Sequence, residues 1–445
     1  MSDFLHPAGA HGCGAENAAR GGLPADRLAQ SLCRLLGAEA VAHPIGLAVS
    51  GGSDSMALLA VAGELAGEGR LQLRVATVDH GLRPEAAQEA RMVALECRKL
   101  GLPHVVLRAG PDALPRSGPG NLMAAARRLR YGLLAGWARE QGLAAVLLAH
   151  TADDLAETFL MRLRRKPGLD GLAAMPARFE RQGAVFLRPL LEERRTALQA
   201  LLRERGLPWA EDPSNSDPRF ERSRARAALP ELERHGLTVE VLAAAARNLA
   251  EARDLLDAEV ARFAGEHVEI SPAGAITLAR AAFEAAQPAV QRRLLGAALR
   301  FVGGPDADPR GDAVDRALPA GLQPLGRTTL AGCDVQLSRD RFTVSREFAA
   351  VAGLRAPPSE PWDGRWRLRG PNAAEEAGIE IGALGAEGLA VCGNRSGLPA
   401  RDLHATPAAW RGAELVAAPL VGHGRGWHAE LSGGRAAFLS SLTAH

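Results

Sequence analysis

The chain is almost without lysine. Lys99 and Lys166 are the only two among 53 basic residues. A Walker A phosphate loop is therefore excluded, because it needs a Lys-Ser/Thr pair after its second glycine. Paired cysteines are missing as well: Cys13, Cys33, Cys97, Cys333 and Cys392 stand far apart and are odd in number. No C-x-x-C pair offers a metal, cluster or dithiol site, and the pattern fits a reducing, cytoplasmic compartment. No apolar run reaches the ~18 residues of a membrane span, so neither a transmembrane protein nor a membrane partner is expected. Residues 1–25 are rich in Gly and Ala, include Asp3 and Glu16 and lack an apolar core. They are expected to be a flexible lead-in and not a secretory signal. No tandem repeat is present, and Tyr131 is the sole tyrosine.

What remains is 445 residues, 47% hydrophobic and 23% charged, enough for two or three globular domains. The most constraining stretch runs from Ile45 to Ser55, where an apolar strand enters Ser50-Gly51-Gly52-Ser53-Asp54-Ser55 and then a helix. Leu58, Leu59, Val61, Ala62 and Leu65 recur at near-helical spacing, so this helix packs one face on a sheet. The first backbone N–H groups of a helix have no intrahelical partner, and the macrodipole adds positive potential there. Two glycines admit a ligand close to the main chain, and Ser50, Ser53 and Ser55 add hydroxyl donors, so the loop suits an anion, above all a phosphate. A dinucleotide fingerprint would need a third spaced glycine, and none is present. An ordinary Ser- or Asp-capped turn is the plainer alternative, but it needs fewer of these residues.

The following segments alternate. Leu71–Val78, His104–Leu107 and Ala145–Ala149 read as strands, with helices over Glu85–Leu100 and Asn121–Gln141 between them. This rhythm predicts an α/β fold, a parallel twisted sheet with helices on both faces. Ligands of such sheets sit at the carboxyl ends of strands, and Ser50, Asp79 with His80, and His150 each follow a strand there. Beyond Pro230 the pattern changes to helices over Val239–Leu256 and Ala281–Phe301, then a Pro/Gly/Asp-rich boundary over Gly303–Gly326. Short strands at Thr328–Leu330, Asp334–Leu337 and Phe342–Ser345 begin a small mixed β part. The expected domains are a catalytic 26–220, a helical 221–315 and a small mixed C-terminal 316–445.

Further polar clusters accompany the strands. His150-Thr151-Ala152-Asp153-Asp154-Leu155-Ala156-Glu157 opens a helix, with Asp153 and Asp154 four and three residues before Glu157, so the carboxylates share a face. Acids at a helix start are favoured by the dipole alone. Beside a histidine at a sheet edge they also suit a hard cation or a substrate ammonium. Arg127 and Arg130 lie three apart in the helix that carries Tyr131 and reach one anion together, or else form a solvated stripe. From Met161 to Pro230 there are fifteen Arg or Lys against nine Asp or Glu, a local +6 within a net charge of +2. Such a zone beside a phosphate loop points to a polyanion, unless it is a solvated face. Arg222, Arg224 and Arg226 close that zone after Trp209-Ala210-Glu211-Asp212-Pro213-Ser214-Asn215.

Read in order, SGGSDS, DHGLRP from Asp79, ARRLRY ending at Tyr131, AHTADDLAET from Ala149, RPLL from Arg188 and EDPSN from Glu211 resemble one family of PP-loop ATP pyrophosphatases, tRNA(Ile)-lysidine synthetase. The resemblance spans about residues 45 to 232, with weaker echoes at Thr328–Cys333 and Arg346-Glu347. It implies a PP-loop ATPase, adenine-nucleotide alpha-hydrolase-like fold and the ATP-dependent ligation of L-lysine to the wobble cytidine of tRNA(Ile) with a CAU anticodon. That reaction passes through an adenylated base and converts AUG/methionine reading to AUA/isoleucine. The implied ATP site is Ser50 to Ser55 with Asp79 and His80, and the implied metal site is Mg2+ at Asp54 and Asp153. Asp54, His150, Asp154 and Glu157 are implied in catalysis, and Arg127, Arg130, Arg222 and Arg226 in positioning tRNA or substrate. A homodimer is compatible with the resemblance. The chain departs from the family at Thr151, usually histidine, at Leu155, usually glutamine, and at Arg165-Lys166-Pro167-Gly168, usually an Arg-Gly-rich turn. A related tRNA thiolase would need paired cysteines. An adenylating enzyme with a small-molecule acceptor is a further reading, as is a binding module, which would need no acids after Ala149.

Overall fold

The computed structural model describes residues 24–36, 43–79, 86–110, 119–165, 168–211, 217–304, 307, 309, 311–321 and 326–443. His80, residues 1–23 of the lead-in and residues 212–216 of the turn after Trp209 lie outside the described residues. The chain divides into two compact units, Met1–Pro167 with Gly171–Asn248, and Gly168–Asp170 with Leu249–His445. The division falls inside a long helix.

In the first unit the elements are α1 (Pro24–Leu36), β1 (Ile45–Ala48), α2 (Ser53–Gly67), β2 (Leu73–Asp79), α3 (Ala86–Lys99), β3 (His104–Arg108), α4 (Pro119–Glu140), β4 (Val146–Leu147) and α5 (Ala152–Leu163). They continue through the short α6 (Leu169–Leu172), which also straddles the division, β5 (Arg178–Arg181), β6 (Ala184–Leu187), α7 (Arg195–Glu204), α8 (Glu221–Arg234) and α9 (Val239–His267), the long helix in which the units part. The sheet order is β3-β2-β1-β4-β6-β5. All pairs are parallel except the β5–β6 hairpin. Continuous apolar runs such as Ile45–Ala48 and Val146–Leu147 are buried on both faces, as parallel strands must be. Leu47, Leu58, Leu59, Val75, Val93 and Leu202 belong to one core layer beneath α1, α2, α3 and α7. Tyr131, Leu134 and Trp137 of α4 form the second with Val146 and Phe186. Gly46 is required by that packing, because a Cβ there would lie 2.7 Å from the Trp137 ring.

Strand order reverses between β1 and β4, so the chain leaves these two neighbours toward opposite sides of the sheet. The crevice beyond their carboxyl ends is where open α/β sheets hold ligands. Ser50 and His150 stand at those ends.

The second unit starts with an antiparallel sheet ordered β7-β8-β11-β10-β9. Its strands are Glu269–Ile270, Ile276–Ala279, Arg327–Leu330, Cys333–Leu337 and Arg341–Arg346 for β7 to β11. The helix expected over Ala281–Phe301 is two, α10 (Arg280–Ala285) and α11 (Pro288–Gly303), because Pro288 has no N–H to continue a helix and instead occupies a first-turn position. The expected boundary over Gly303–Gly326 contains a helix, α12 (Gly311–Gly321). Phe283, Leu294, Leu299, Phe342 and Phe438 fill this core. A four-stranded sheet and a two-stranded pair follow, packed around Trp362, Trp366 and Trp427. No helix of the described residues is long and apolar enough to cross a membrane. Cys97, Cys333 and Cys392 are buried and unbridged, and burial pushes the first two thiols up to about 11 and about 12.

Candidate active site

The Ser50–Ser55 loop is held from within and from one outside point. Ser55 Oγ accepts the Ser50 N–H at 3.2 Å and donates to the Gly52 carbonyl at 2.9 Å. The Gly51 carbonyl accepts the Ala210 N–H at 2.8 Å, which ties the loop to the chain just before Glu211. Gly51 adopts φ +92°, in the left-handed region, and a Cβ there would lie 3.3 Å from Glu89. Gly52 is the cap residue of α2 and supplies no side-chain hydrogen bond to the first turn. A 15-residue helix thus presents its unpaired N–H groups and dipole at the crevice, the arrangement that binds phosphate.

The first turn of α5 is built in the opposite way. Thr151, the residue that departs from the family pattern, is its cap: its hydroxyl accepts the Asp154 N–H, and the Asp154 carboxylate accepts the Thr151 N–H at 2.9 Å. Leu155, the other departure, is buried. Asp153 accepts the backbone N–H of Arg195 at 2.7 Å and lies 3.5 Å from Arg194 Nε. Its Oδ2 therefore holds the start of α7.

Asp54, Asp154 and Glu157 converge on one guanidinium. Arg195 Nε lies 2.9 Å from Asp54, Nη2 lies 3.3 Å from Asp154 and Nη1 lies 3.1 Å from Glu157. Glu157, fully buried, also meets Arg222 Nε at 3.1 Å and Arg226 Nε at 2.8 Å. Three carboxylates thus face three guanidinium groups, the pairing that buried charges require. Burial disfavours the Arg195 charge, but Asp154, Asp54 and Glu157 outweigh it and raise its pKa. Burial pushes the Asp54 carboxyl above its usual range, against Arg195. For Asp154 burial acts in the same sense, yet Arg195, Arg222 and His150 overcome it and hold the group below that range. No group of three or more acidic, His or Cys side chains among the described residues forms a metal cage.

Next to the acids lies a separate, wholly basic cluster. Tyr131 is fully buried against Phe179 and Phe186, with guanidinium carbons of Arg181, Arg127 and Arg130 at 4.7, 5.3 and 5.5 Å from its ring centre. Arg188 donates to the Pro176 carbonyl at 2.6 Å, while its Nε and that of Arg130 are buried without a partner among the described residues. Burial pushes the His150 imidazole down to about 3, with Arg188, Arg130 and Arg127 acting in the same direction and Asp154 against it. His150 is therefore neutral near pH 7 and a weak proton acceptor. Asp79 ends β2, with Arg108 Nε 3.9 Å from its carboxylate.

Sequence reasoning missed Arg195, the hub of the acidic cluster, which is 141 positions from Asp54 and carries no motif of its own. It also treated the local +6 as an open basic zone. Much of that charge is paired internally with acids from outside the zone: Arg205 with Glu64, Arg194 with Glu233 and Glu240, and Arg195, Arg222 and Arg226 with the site carboxylates.

Comparison with known proteins identifies the family. The family model described as "PP-loop domain" matches residues 24–232. A tRNA(Ile)-lysidine synthase of Ruegeria pomeroyi is 44% identical over 430 residues, covering 94% of this chain and 99% of that protein. Another, from Hyphomonas neptunium, is 40% identical over 314 residues, 68% of this chain and 82% of its own length. With the PP-loop at the sheet's reversal point and a likeness running nearly end to end, the chain belongs to the tRNA(Ile)-lysidine synthase family of ATP-using ligases.

Proposed function

We propose that this chain uses ATP to ligate free L-lysine to the 2-position of the wobble cytidine in tRNA(Ile) with a CAU anticodon, releasing AMP and pyrophosphate. One observation carries the reading: an uncapped helix N-terminus and three carboxylates gathered about a single cation meet at one sheet edge. The first suits a phosphate and the second an ammonium group.

The order of steps follows from reactivity. The cytosine 2-carbonyl carbon is a poor electrophile until its oxygen becomes a leaving group. That oxygen first attacks the α-phosphorus of ATP; the new O–P bond forms as the bond to the β-phosphate oxygen breaks, and pyrophosphate departs with the electron pair. N–H groups at the start of α2 and the hydroxyls of Ser50, Ser53 and Ser55 stabilise this departing charge, a contribution of about 3–4 kcal/mol per well-placed donor in comparable sites. The lysine ε-nitrogen then bonds to C2, the C2–O bond breaks and AMP leaves.

The amine must shed a proton first, its unperturbed pKa being ~10.4. Asp54, Asp154 and Glu157 receive the ammonium where Arg195 now presents a guanidinium, and a carboxylate takes the proton. His150, with its depressed pKa, orients by hydrogen bonding and leaves proton removal to the acids. Arg127 and Arg130 position the adenylate phosphate or the target nucleotide, and Arg222 and Arg226 act through Glu157.

Magnesium fits this donor set. Asp54 offers hard carboxylate oxygens beside the loop, Oδ1 meeting only the Ser53 hydroxyl at 3.2 Å, and Mg2+ ordinarily needs one or two carboxylates plus substrate phosphates. Bound there, it would neutralise pyrophosphate charge. The test is incubation with ATP, labelled lysine and CAU tRNA(Ile) transcript, followed by digestion to nucleosides. Labelled lysidine is expected; tRNA-dependent AMP release without label in any nucleoside would overturn the reading.

A further inference from the structure

The second unit holds a cavity of about 380 Å3 that the chemistry above does not use. Arg300, Phe301, Arg365, Leu431 and Ser432 line it. Arg365 is only 6% exposed, yet it forms no ion pair among the described residues. Its one side-chain hydrogen bond among the described residues runs from Nη2 to the Gly274 carbonyl at 2.8 Å, and its Nε is buried without a partner among them. The nearby carboxylate, Asp363, is already engaged on both oxygens by Arg346, at 2.7 and 2.9 Å. Burial accordingly pushes the Arg365 guanidinium down to about 10, with Asp363 only partly opposing it.

A buried cation without a counter-ion is costly, and such groups normally pair. In the first unit Arg188 donates to a carbonyl and Arg195 meets three carboxylates; here Arg365, with no carboxylate of its own, lines an open cavity. Arg300, exposed on α11, adds a second positive charge at the same cavity, and none of the described residues lining it is acidic. Apart from Ser432 the remaining described wall is apolar, with the Phe301 ring centre 5.7 Å from the Arg365 guanidinium carbon and Leu431 also lining it. An anion joined to an apolar, flat body matches both parts, and the planar guanidinium fork matches the oxygens of a phosphate, as it does those of a carboxylate.

We propose that this cavity is a nucleotide-phosphate site, with the phosphate held between Arg365 and Arg300 and the attached sugar or base lying against Phe301 and Leu431. The phosphate belongs either to a free nucleotide or to an RNA strand. The site is independent of the catalytic reading, because it shares no residue with the PP-loop crevice.

The test titrates AMP, inorganic phosphate and a CAU tRNA transcript into the full chain, its D54A variant, and the variants R300E and R365M. A free-nucleotide site predicts two AMP sites in the wild type, one of them weakened at least tenfold by R300E and by R365M but surviving in D54A. An RNA site predicts that the same two variants weaken transcript binding, with the slope of log affinity against log salt reduced by about one. AMP, phosphate and transcript binding all indifferent to both variants overturns the proposal. Far-UV circular dichroism shows whether R365M folds; if it does not, the exposed R300E decides alone. Failure of the catalytic reading looks different, since it appears as AMP binding that D54A leaves untouched.

Discussion

Two helices begin at the same sheet edge, α2 after β1 and α5 after β4, and these strands are neighbours. Their first turns are opposites. α5 is closed by Thr151 and Asp154 in a capping box and carries acids that its dipole favours. α2 begins at a glycine that caps nothing. A Ser, Thr or Asp cap ordinarily contributes about 0.5–2 kcal/mol, so α2 forgoes local stability that α5 keeps. The difference shows how an anion site is made in this fold: one helix end is left unsatisfied for a ligand, and its neighbour is satisfied internally so that its side chains can take the opposite charge.

The contrast breaks most severely at Arg195, which reaches from α7 into both helix starts. R195A leaves Asp54, Asp154 and Glu157 without their shared cation, and urea unfolding should show a loss of about 3–5 kcal/mol. R195K should restore only part, because an ammonium cannot make three directed contacts. D54A tests the open side: lysidine formation should fall by about 10²–10³-fold, with a circular dichroism spectrum like that of the wild type. Near-normal turnover would remove Asp54 from the site.

A smaller effect tests the closed side through pH. His150 titrates near 3 in the folded protein against about 6.5 unfolded, so the unfolded chain binds more protons between those values. Stability must therefore fall as pH drops from about 6.5 toward 3, by up to about 1.4 kcal/mol per pH unit from this group. Urea midpoints of H150N across pH 6 to 4 should show a shallower slope than wild type; parallel slopes would contradict the burial argument. Smallest is T151A, which should cost about 1 kcal/mol of stability and little activity.

The elements differ in how readable they were, for physical reasons. β1 and β4, at the centre of the sheet, are apolar on both faces, which leaves unbroken apolar runs in the sequence. The β5–β6 hairpin escaped because Arg178-Phe179-Glu180-Arg181 is a half-exposed edge strand, and its turn at Gln182 and Gly183 uses positive φ without a strong turn signature. The break at Pro288 was present in the sequence but hidden by the apolar period on both sides. SGGSDS and the acids after His150 were legible because local chemistry carries them. Arg195 was not, because its meaning arises only when α7 packs against α2, and the internal pairing of part of the basic zone was hidden because its counter-charges come from distant segments.

The most direct test of the central claim is the structure of the protein with a non-hydrolysable ATP analogue. The β- and γ-phosphates should lie within hydrogen-bonding distance of the N–H groups from Gly52 to Ser55, with the α-phosphate turned toward the basic cluster around Tyr131. A triphosphate bound elsewhere, with the start of α2 still unpaired, would contradict it.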